Sequence, residues 1–437
     1  MLFLLIFLCN MIIFKRMPSH LLMCENTLEF KNVFFFTGCF RAKICINFLY
    51  ICILITVETK MFTENLNLFL TSRLVLLPIL VFLGSLFLIP KIRKLSLKLN
   101  FSDTSNSRSS HQGKVASFGG VAFFLSYVFV LFFAETLDTS HVSLTLLASI
   151  TIMFFTGLLD DMASLPPKVK FFAQFIAVSF LMTEPDFRLL SLHGFMGFYE
   201  IPLFVSVAGS MVFLLGLINA FNLIDGIDGL TGITGIIVAS FYSYMFYMLD
   251  YYYYLTISLT TIATLLAFLR FNFSRRRKIF MGDTGSLVIG LVLGLLTFKL
   301  LSLDNGTYTC LSFNRQQLPL FLISVLFVPL LDTLRVMFLR ALRGVSMFKP
   351  DRNHIHHIIV DFGLSHRRAS FFIGLINFIV ALIMFFVIQT FNDLISLLVL
   401  VSIFFIAIIL LFLMNKNKSA IRLKLKIKKL FLTFLSL

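Results

Sequence analysis

The chain is 437 residues long, 59% hydrophobic and only 13% charged, with a mean hydropathy of +0.96. Ordinary soluble domains carry roughly 25% charged residues, so a water-soluble globular enzyme is excluded. The formal charge of +16 is compatible with nucleic acid in size, but the placement of the basic residues excludes that partner.

A spanning helix needs about 20 mostly apolar residues. In chain order, such runs fall at 68–90, 117–134, 142–158, 170–183, 201–218, 231–249, 255–269, 285–302, 318–340, 370–389 and 394–414. The expected fold is an all-α polytopic membrane protein with about 11 transmembrane helices. In hydrocarbon the backbone must bond to itself, which helices do, and the runs lack the strand alternation of a barrel. The expected organisation is an extension over 1–60, a polytopic body over 61–414 and a basic tail over 415–437. The extension holds Cys9, Cys24, Cys39, Cys45 and Cys52 and shows no helical period. Translation is expected to start at Met61, directly before the first span, with an extra anchor as the alternative. Cys310 has no partner on its side of the membrane, so no disulfide framework is expected.

Taken alternately, one set of loops between the spans, together with the tail after 414, holds 26 lysines and arginines, the other only Arg188 and Arg315. Basic residues accumulate on the cytoplasmic side, so the first set is expected to face inward. Tyr251, Tyr252, Tyr253 and Tyr254 then fall at the outer interface, where amphipathic rings are favoured. The stretch 422–432 alternates basic and apolar residues and suits an anionic inner leaflet.

Five polar islands fall in the inward loops. The first, 107–124, offers Arg108 and Lys114 to a phosphate, and Gly119-Gly120 for close approach to a ligand or to another helix. In the second, 157–174, Asp160 and Asp161 are adjacent at a helix end and are followed by Pro166-Pro167, Lys168 and Lys170. Neighbouring carboxylates repel unless a cation compensates, which suits a base beside a metal; a solvated helix end is the plainer reading. The third, NAFNLIDGIDGL over 219–230, puts Asn219, Asn222, Asp225 and Asp228 three apart, on one helix face. Buried polar groups need partners, so this stripe is not core filler, and it lacks the alternating ligands and closing Glu of a calcium loop. The fourth, 270–290, sets Asp283 between Gly282 and Gly285 at the start of an apolar helix, where amides favour an anion. Arg275, Arg276, Arg277 and Lys278 precede it, with plain topology charges as the competing reading. The fifth, 350–369, contains Asp351, Arg352, His354, His356 and His357. Zinc is one reading of the imidazoles, but the i, i+4 pair of zinc helices is missing and phosphate binding competes with it. Upstream, Asp332 and Arg335 are spaced as a helix-face ion pair in an apolar span.

GLLDDMASLPPKVKFFAQ, NAFNLIDGIDGL, IFMGDTGS and PDRNHIHH, in this order, resemble the motifs of the polyprenyl-phosphate N-acetylhexosamine-1-phosphate transferases of glycosyltransferase family 4. The resemblance covers roughly 68–390 and is strongest to the bacterial undecaprenyl-phosphate N-acetylglucosamine-1-phosphate transferases. HIHH, in place of an all-histidine run, favours the polysaccharide-initiating branch. Ala116 stands where the family usually has proline, and Arg276-Arg277 where it has Pro-Ala.

The resemblance implies transfer of N-acetylhexosamine-1-phosphate, with N-acetylglucosamine favoured, from a UDP-sugar to undecaprenyl phosphate with release of UMP. It places the reaction at the cytoplasmic face of the bacterial inner membrane, as the first membrane step of a cell-surface polysaccharide such as O-antigen. Mg²⁺ is the implied cofactor, with Mn²⁺ as an alternative. Asp160, Asp161, Asp225, Asp228 and Asp283 are the implied catalytic residues, with Asp161, Asp225 and Asp283 contacting metal and Asp160 keeping the acceptor phosphate deprotonated. Lys114, Lys168, Asn219, Asn222, Arg352, His354, His356 and His357 are the implied substrate-binding residues. The implied partners are the UDP-sugar, the polyprenyl phosphate and membrane lipid; an oligomer is compatible with all of this. Two rivals stay open: the peptidoglycan-precursor phospho-MurNAc-pentapeptide transferase, and a secondary transporter, whose site would lie near the bilayer midplane.

Overall fold

The computed structural model describes residues 66–99, 102–103, 115–134, 142–303, 314–344 and 354–416. The chain divides into two units, Met1–Leu70 and Thr71–Leu437; apart from the start of one helix, the described residues belong to the second. Lys114, Arg352, Cys310, the extension 1–60 and the stretch 422–432 lie outside the described residues.

The described helices are α1 (Leu66–Lys98), α2 (Gly120–Ala134), α3 (Val142–Ala163), α4 (Pro167–Leu181), α5 (Leu203–Ile224), α6 (Leu230–Met248), α7 (Tyr252–Asn272), α8 (Gly282–Ser302), α9 (Leu318–Val325), α10 (Phe327–Leu342), α11 (Ile355–Asp361), α12 (His366–Thr390) and α13 (Asp393–Lys416). Two small antiparallel pairs accompany them: β1 (Ser102–Asp103) with β2 (Val115–Ala116), and β3 (Ser191–Phe195) with β4 (Phe198–Glu200). Every expected span contains a helix, but among the described residues only eight helices are long and apolar enough to cross a membrane, or nine if α9 and α10 form one span. The expected count of 11 is therefore too high by this measure. Helices α2 and α4 have 15 residues each, about 22 Å at 1.5 Å per residue, short of a hydrocarbon core about 30 Å thick.

The ninth span is bent by 71° between α9 and α10. Pro329, in the first turn of α10, has no N–H, and its ring clashes with the carbonyl of Val325, four residues earlier. Asn377 of α12, fully buried, repairs the break: its Nδ2 donates to the Val325 carbonyl at 2.9 Å, and its Oδ1 accepts the Val328 N–H at 2.9 Å. Freed backbone groups at membrane depth need such a partner.

Helix α8 is the axis of the bundle. It packs against α2, α3, α5 and α6, and the whole of its apolar window is buried. The hydroxyls of α7 are internally satisfied: Thr256, Ser258, Thr260, Thr261 and Thr264 each donate to the carbonyl four residues back, at 2.7–2.9 Å, which makes polar side chains tolerable in an apolar helix.

The close approach of α3 to α8 rests on Gly157. A Cβ there would lie 2.5 Å from the Asp283 carbonyl oxygen and from Thr284 backbone atoms. Backbone cannot yield as a flexible side chain can, and overpacking of this kind costs about 1–3 kcal/mol. Gly157→Ala is therefore expected to lower the unfolding temperature in detergent by several degrees and to lower activity with it, since the first turn of α8 must move. An unchanged melting curve would refute this packing.

The tyrosine run lies at the end of α7 away from its Asn272 terminus. Tyr253 and Tyr254 are buried. Tyr253 bonds Ser143 at 2.8 Å, Tyr254 reaches Asp186 at 3.4 Å, and Lys299 pairs with Asp186 at 2.6 Å while lying over the rings of Tyr251 and Tyr254. These rings knit helices together, and α8 delivers the Lys299 cation to the same place.

Candidate active site

The described residues of the five islands meet at one end of the bundle, and the contacts can be followed from one to the next. Residues 116–120 lie along 279–281: Phe280 N–H donates to Ala116 O at 2.9 Å, and the N–H groups of Gly119 and Gly120 donate to Phe280 O and Met281 O at 3.0 and 3.1 Å. The Gly119-Gly120 pair thus serves approach to another segment: a Cβ on Gly120 would lie 2.2 Å from the Gly285 nitrogen.

Asp161, at the end of α3, accepts the N–H of Asp283 at 2.8 Å on Oδ1, and the N–H and hydroxyl of Thr284 at 3.0 and 2.5 Å on Oδ2. The first N–H groups of a helix have no intrahelical partner and favour negative charge, so this carboxylate caps α8 from another helix. Gly282, at φ +70°, makes it possible, since a Cβ would fall 2.3 Å from Asp161 Oδ2.

The centre of the site is Lys170. Its ammonium donates to Asp160 Oδ2 at 2.9 Å, to Asn222 Oδ1 at 3.3 Å and to Asp283 Oδ2. Asn222 Nδ2 in turn donates to Asp283 Oδ1 at 2.7 Å and to Ser286 Oγ at 2.9 Å. Asp160 is fixed from behind by the Leu165 N–H at 2.6 Å. Three helices, α3, α5 and α8, thereby point oxygens at one positive charge carried by α4. Lys168, expected to contact substrate, is exposed on the first turn of α4. Asn219 lies one turn along α5 from the cluster and bonds Gln174 at 2.8 Å and the Leu215 carbonyl at 2.7 Å, tying α5 to α4.

Asp225 ends α5, half-buried beside the cluster. Burial pushes its carboxyl up to about 7; the Thr231 hydroxyl opposes this, while the charges of Asp283, Asp161 and Asp228 add to it. Asp228 pairs with Lys278 at 2.6 Å, and His366 Nδ1 lies 3.8 Å from it. Lys278 thus differs from Arg275, Arg276 and Arg277, which are exposed.

The histidine stretch closes the site. Asp332 bonds Arg335 at 3.3 Å as expected, and also takes His354 Nδ1 at 2.9 Å and the Ile355 N–H at 2.8 Å. It anchors the histidine loop as well as making burial of Arg335 tolerable. The His356 ring lies between those of His354 and His357, with centroids 5.7 and 4.3 Å away, and takes the space a side chain at Gly226 would need. His357 is the least buried of the three.

Burial, and after it the neighbouring His357, hold His356 down to about 3. The unfolded chain accepts a proton there below about 6.5 and the folded protein does not, so stability is present above 6.5 and is lost as pH falls toward 3. The slope is on the order of 1 kcal/mol per pH unit. Unfolding temperature in detergent should fall between pH 7 and pH 5, and less so in His356→Gln; equal slopes would refute the assignment.

The donor set fits a hard divalent cation. Oxygens of Asp160, Asp283 and Asn222 already converge on a cation, and the neighbouring acidic charges that add to the burial-driven rise of Asp225 are offset by added positive charge. Among the described residues no three His, Cys, Asp or Glu side chains form a metal cage. Magnesium is commonly held by one or two carboxylates together with substrate phosphates and water. Asp161, Asp225 and Asp283 share this end of the bundle, but both oxygens of Asp161 are engaged by α8.

The site residues missed at the sequence level are Lys170 as the central cation, Gln174, Lys278 as the partner of Asp228, and His366. One signal was available: Lys170 and Gln174 are i, i+4 on a helix that opens at Pro167, and such residues share a face.

Residues 143–301 match the model of glycosyl transferase family 4. Over 316 residues the chain is 31% identical to a probable undecaprenyl-phosphate N-acetylglucosaminyl 1-phosphate transferase of Bacillus subtilis (strain 168), covering 70% of this chain and 83% of the relative. It is 30% identical over 311 residues to the undecaprenyl-phosphate alpha-N-acetylglucosaminyl 1-phosphate transferase of Yersinia pestis, covering 70% and 82%. The protein of the same description from Escherichia coli (strain K12) is 30% identical over 292 residues, covering 65% and 75%.

Proposed function

The chain belongs to glycosyl transferase family 4, and from that premise we propose that it transfers N-acetylglucosamine-1-phosphate from UDP-N-acetylglucosamine to undecaprenyl phosphate. The observation that carries this reading is the convergence of Asp160, Asn222 and Asp283 on Lys170, a mixed-charge oxygen site of the kind phosphoryl transfer requires. A lipid-phosphate oxygen attacks the β-phosphorus, the bond from that phosphorus to the UMP oxygen breaks, and UMP leaves with the electron pair. Both reactants are anions, so the protein's task is positioning and charge neutralisation. Asp160, held by Leu165 and Lys170, keeps the acceptor phosphate unprotonated. Lys170, Lys114, Arg352 and His357 supply positive charge or hydrogen-bond donors to the diphosphate, and Asn222, Asp225 and Asp228 shape the nucleotide side. Magnesium, held by Asp283 and Asp160 with Asn222, would neutralise charge on the donor diphosphate and on the departing UMP.

The steep basic bias of the loops at this end supports a cytoplasmic site in the bacterial inner membrane, where nucleotide sugars are found. The carboxylates stand at helix ends, at the C-terminal ends of α3 and α5 and the N-terminal end of α8, which disfavours a midplane transport site. The product, a lipid-diphosphate-sugar, fits the start of a cell-surface polysaccharide. The test is UMP release by purified protein across a panel of UDP-sugars with undecaprenyl phosphate. Release is expected with UDP-N-acetylglucosamine, only with lipid acceptor and Mg²⁺ present, and lost on chelation. Release that survives chelation removes the metal, and release without acceptor removes the transfer.

A further inference from the structure

A second feature lies on the membrane-facing surface, built from different elements. At the site end of α6 and α7, a groove of about 470 Å³ is lined by Ile233, Ile237, Leu266, Leu269, Phe273 and Phe371, with Arg270 in the last turn of α7 its only charged lining residue. Phe273 and Phe371 stack at 5.9 Å, and the Arg367 guanidinium lies 5.4 Å from the Phe273 ring. Arg270 and Arg367 are both exposed, and no carboxylate lines the groove. Arg367 also sits in the first turn of α12, where the helix dipole adds positive potential. The result is an apolar trough with the Arg270 guanidinium in its lining and that of Arg367 beside its Phe273 wall.

We propose that this groove binds a non-reacting anionic phospholipid, with an acyl chain in the trough and the headgroup phosphate between Arg270 and Arg367. Charge complementarity selects the anionic headgroup: each basic residue near the surface contributes about 1 kcal/mol toward anionic lipid, so the pair gives a preference of roughly tenfold or more. The reacting lipid has a different requirement. Its phosphate must reach Asp160 and Asp283, which α3 and α8 carry with help from α4 and α5, whereas α6, α7 and α12 form the groove. The groove does share a wall with the loop between α5 and α6, since the Phe273 ring fills the space beside Gly229. An occupant therefore braces the segment that carries Asp228.

The test uses purified full-length protein in detergent, titrated with phosphatidylglycerol or phosphatidylcholine while unfolding temperature is followed, with native mass spectrometry for retained lipid. Wild type is expected to show a phosphatidylglycerol-dependent rise at roughly tenfold lower concentration than with phosphatidylcholine, and one retained anionic phospholipid. R270Q/R367Q is expected to keep the phosphatidylcholine response and lose the preference; these side chains are exposed, so the fold should be unaffected. A preference that survives R270Q/R367Q, or no preference in wild type, overturns the proposal. So does a raised KM for undecaprenyl phosphate in the double variant with phosphatidylglycerol selectivity intact, because that would make the groove an acceptor site.

Discussion

Asp283→Asn is expected to lower turnover by several orders of magnitude while leaving the protein folded. The side chain is isosteric, so the Asn222 contact at 2.7 Å can be kept in part, whereas the charge facing Lys170 is lost. One well-placed electrostatic contact is worth about 10²–10³ in rate, and Asp283 is in contact with Lys170 as well as being an expected holder of the cation. The measurement is UMP release at saturating donor and acceptor, with gel filtration and thermal unfolding as controls. A rate within tenfold of wild type would put Asp283 outside the reacting centre and dismantle the proposed arrangement.

The second large effect separates two lysines that are two residues apart. Lys170→Met should reduce turnover by about 10²–10³, because it leaves Asp160 and Asp283 facing each other without the cation between them. Lys168→Met should change it by no more than a few-fold, since Lys168 is exposed. On a helix, positions two apart point roughly 200° away from each other, so only one can reach the carboxylates. Restoration of some activity by Lys170→Arg would support a charge-placing role. Equal losses in the two methionine variants would mean that both lysines meet the diphosphate, and that α4 presents a wider surface than its packing indicates.

Much of the site was legible in the linear chain. The spacing of Asn222, Asp225 and Asp228, the Asp160–Asp161 pair at a helix end and the glycine-flanked Asp283 all read as polar groups that lipid-depth burial would not tolerate without a purpose. Their division of labour was not legible. Asp160 and Asp161 are neighbours with the same chemistry, yet one meets Lys170 and the other caps α8, because successive helical residues point about 100° apart and α8 comes from a segment more than a hundred residues away. Asn377 is a similar case: a lone amide in an apolar run marks a function, but only the bend at Pro329 shows which backbone groups it satisfies.

Sequence alone determined the membrane class, the helical spans to within a few residues, and the set of polar loops that share one side, because hydropathy and charge bias are local or additive properties of the chain. Tertiary structure decided how many helices are long enough to cross, that Tyr253 and Tyr254 are buried, and that Lys170 rather than Lys168 stands at the centre. Those depend on contacts between residues distant in the chain, where side-chain direction and close backbone approach, as at Gly157, choose among chemically equivalent candidates.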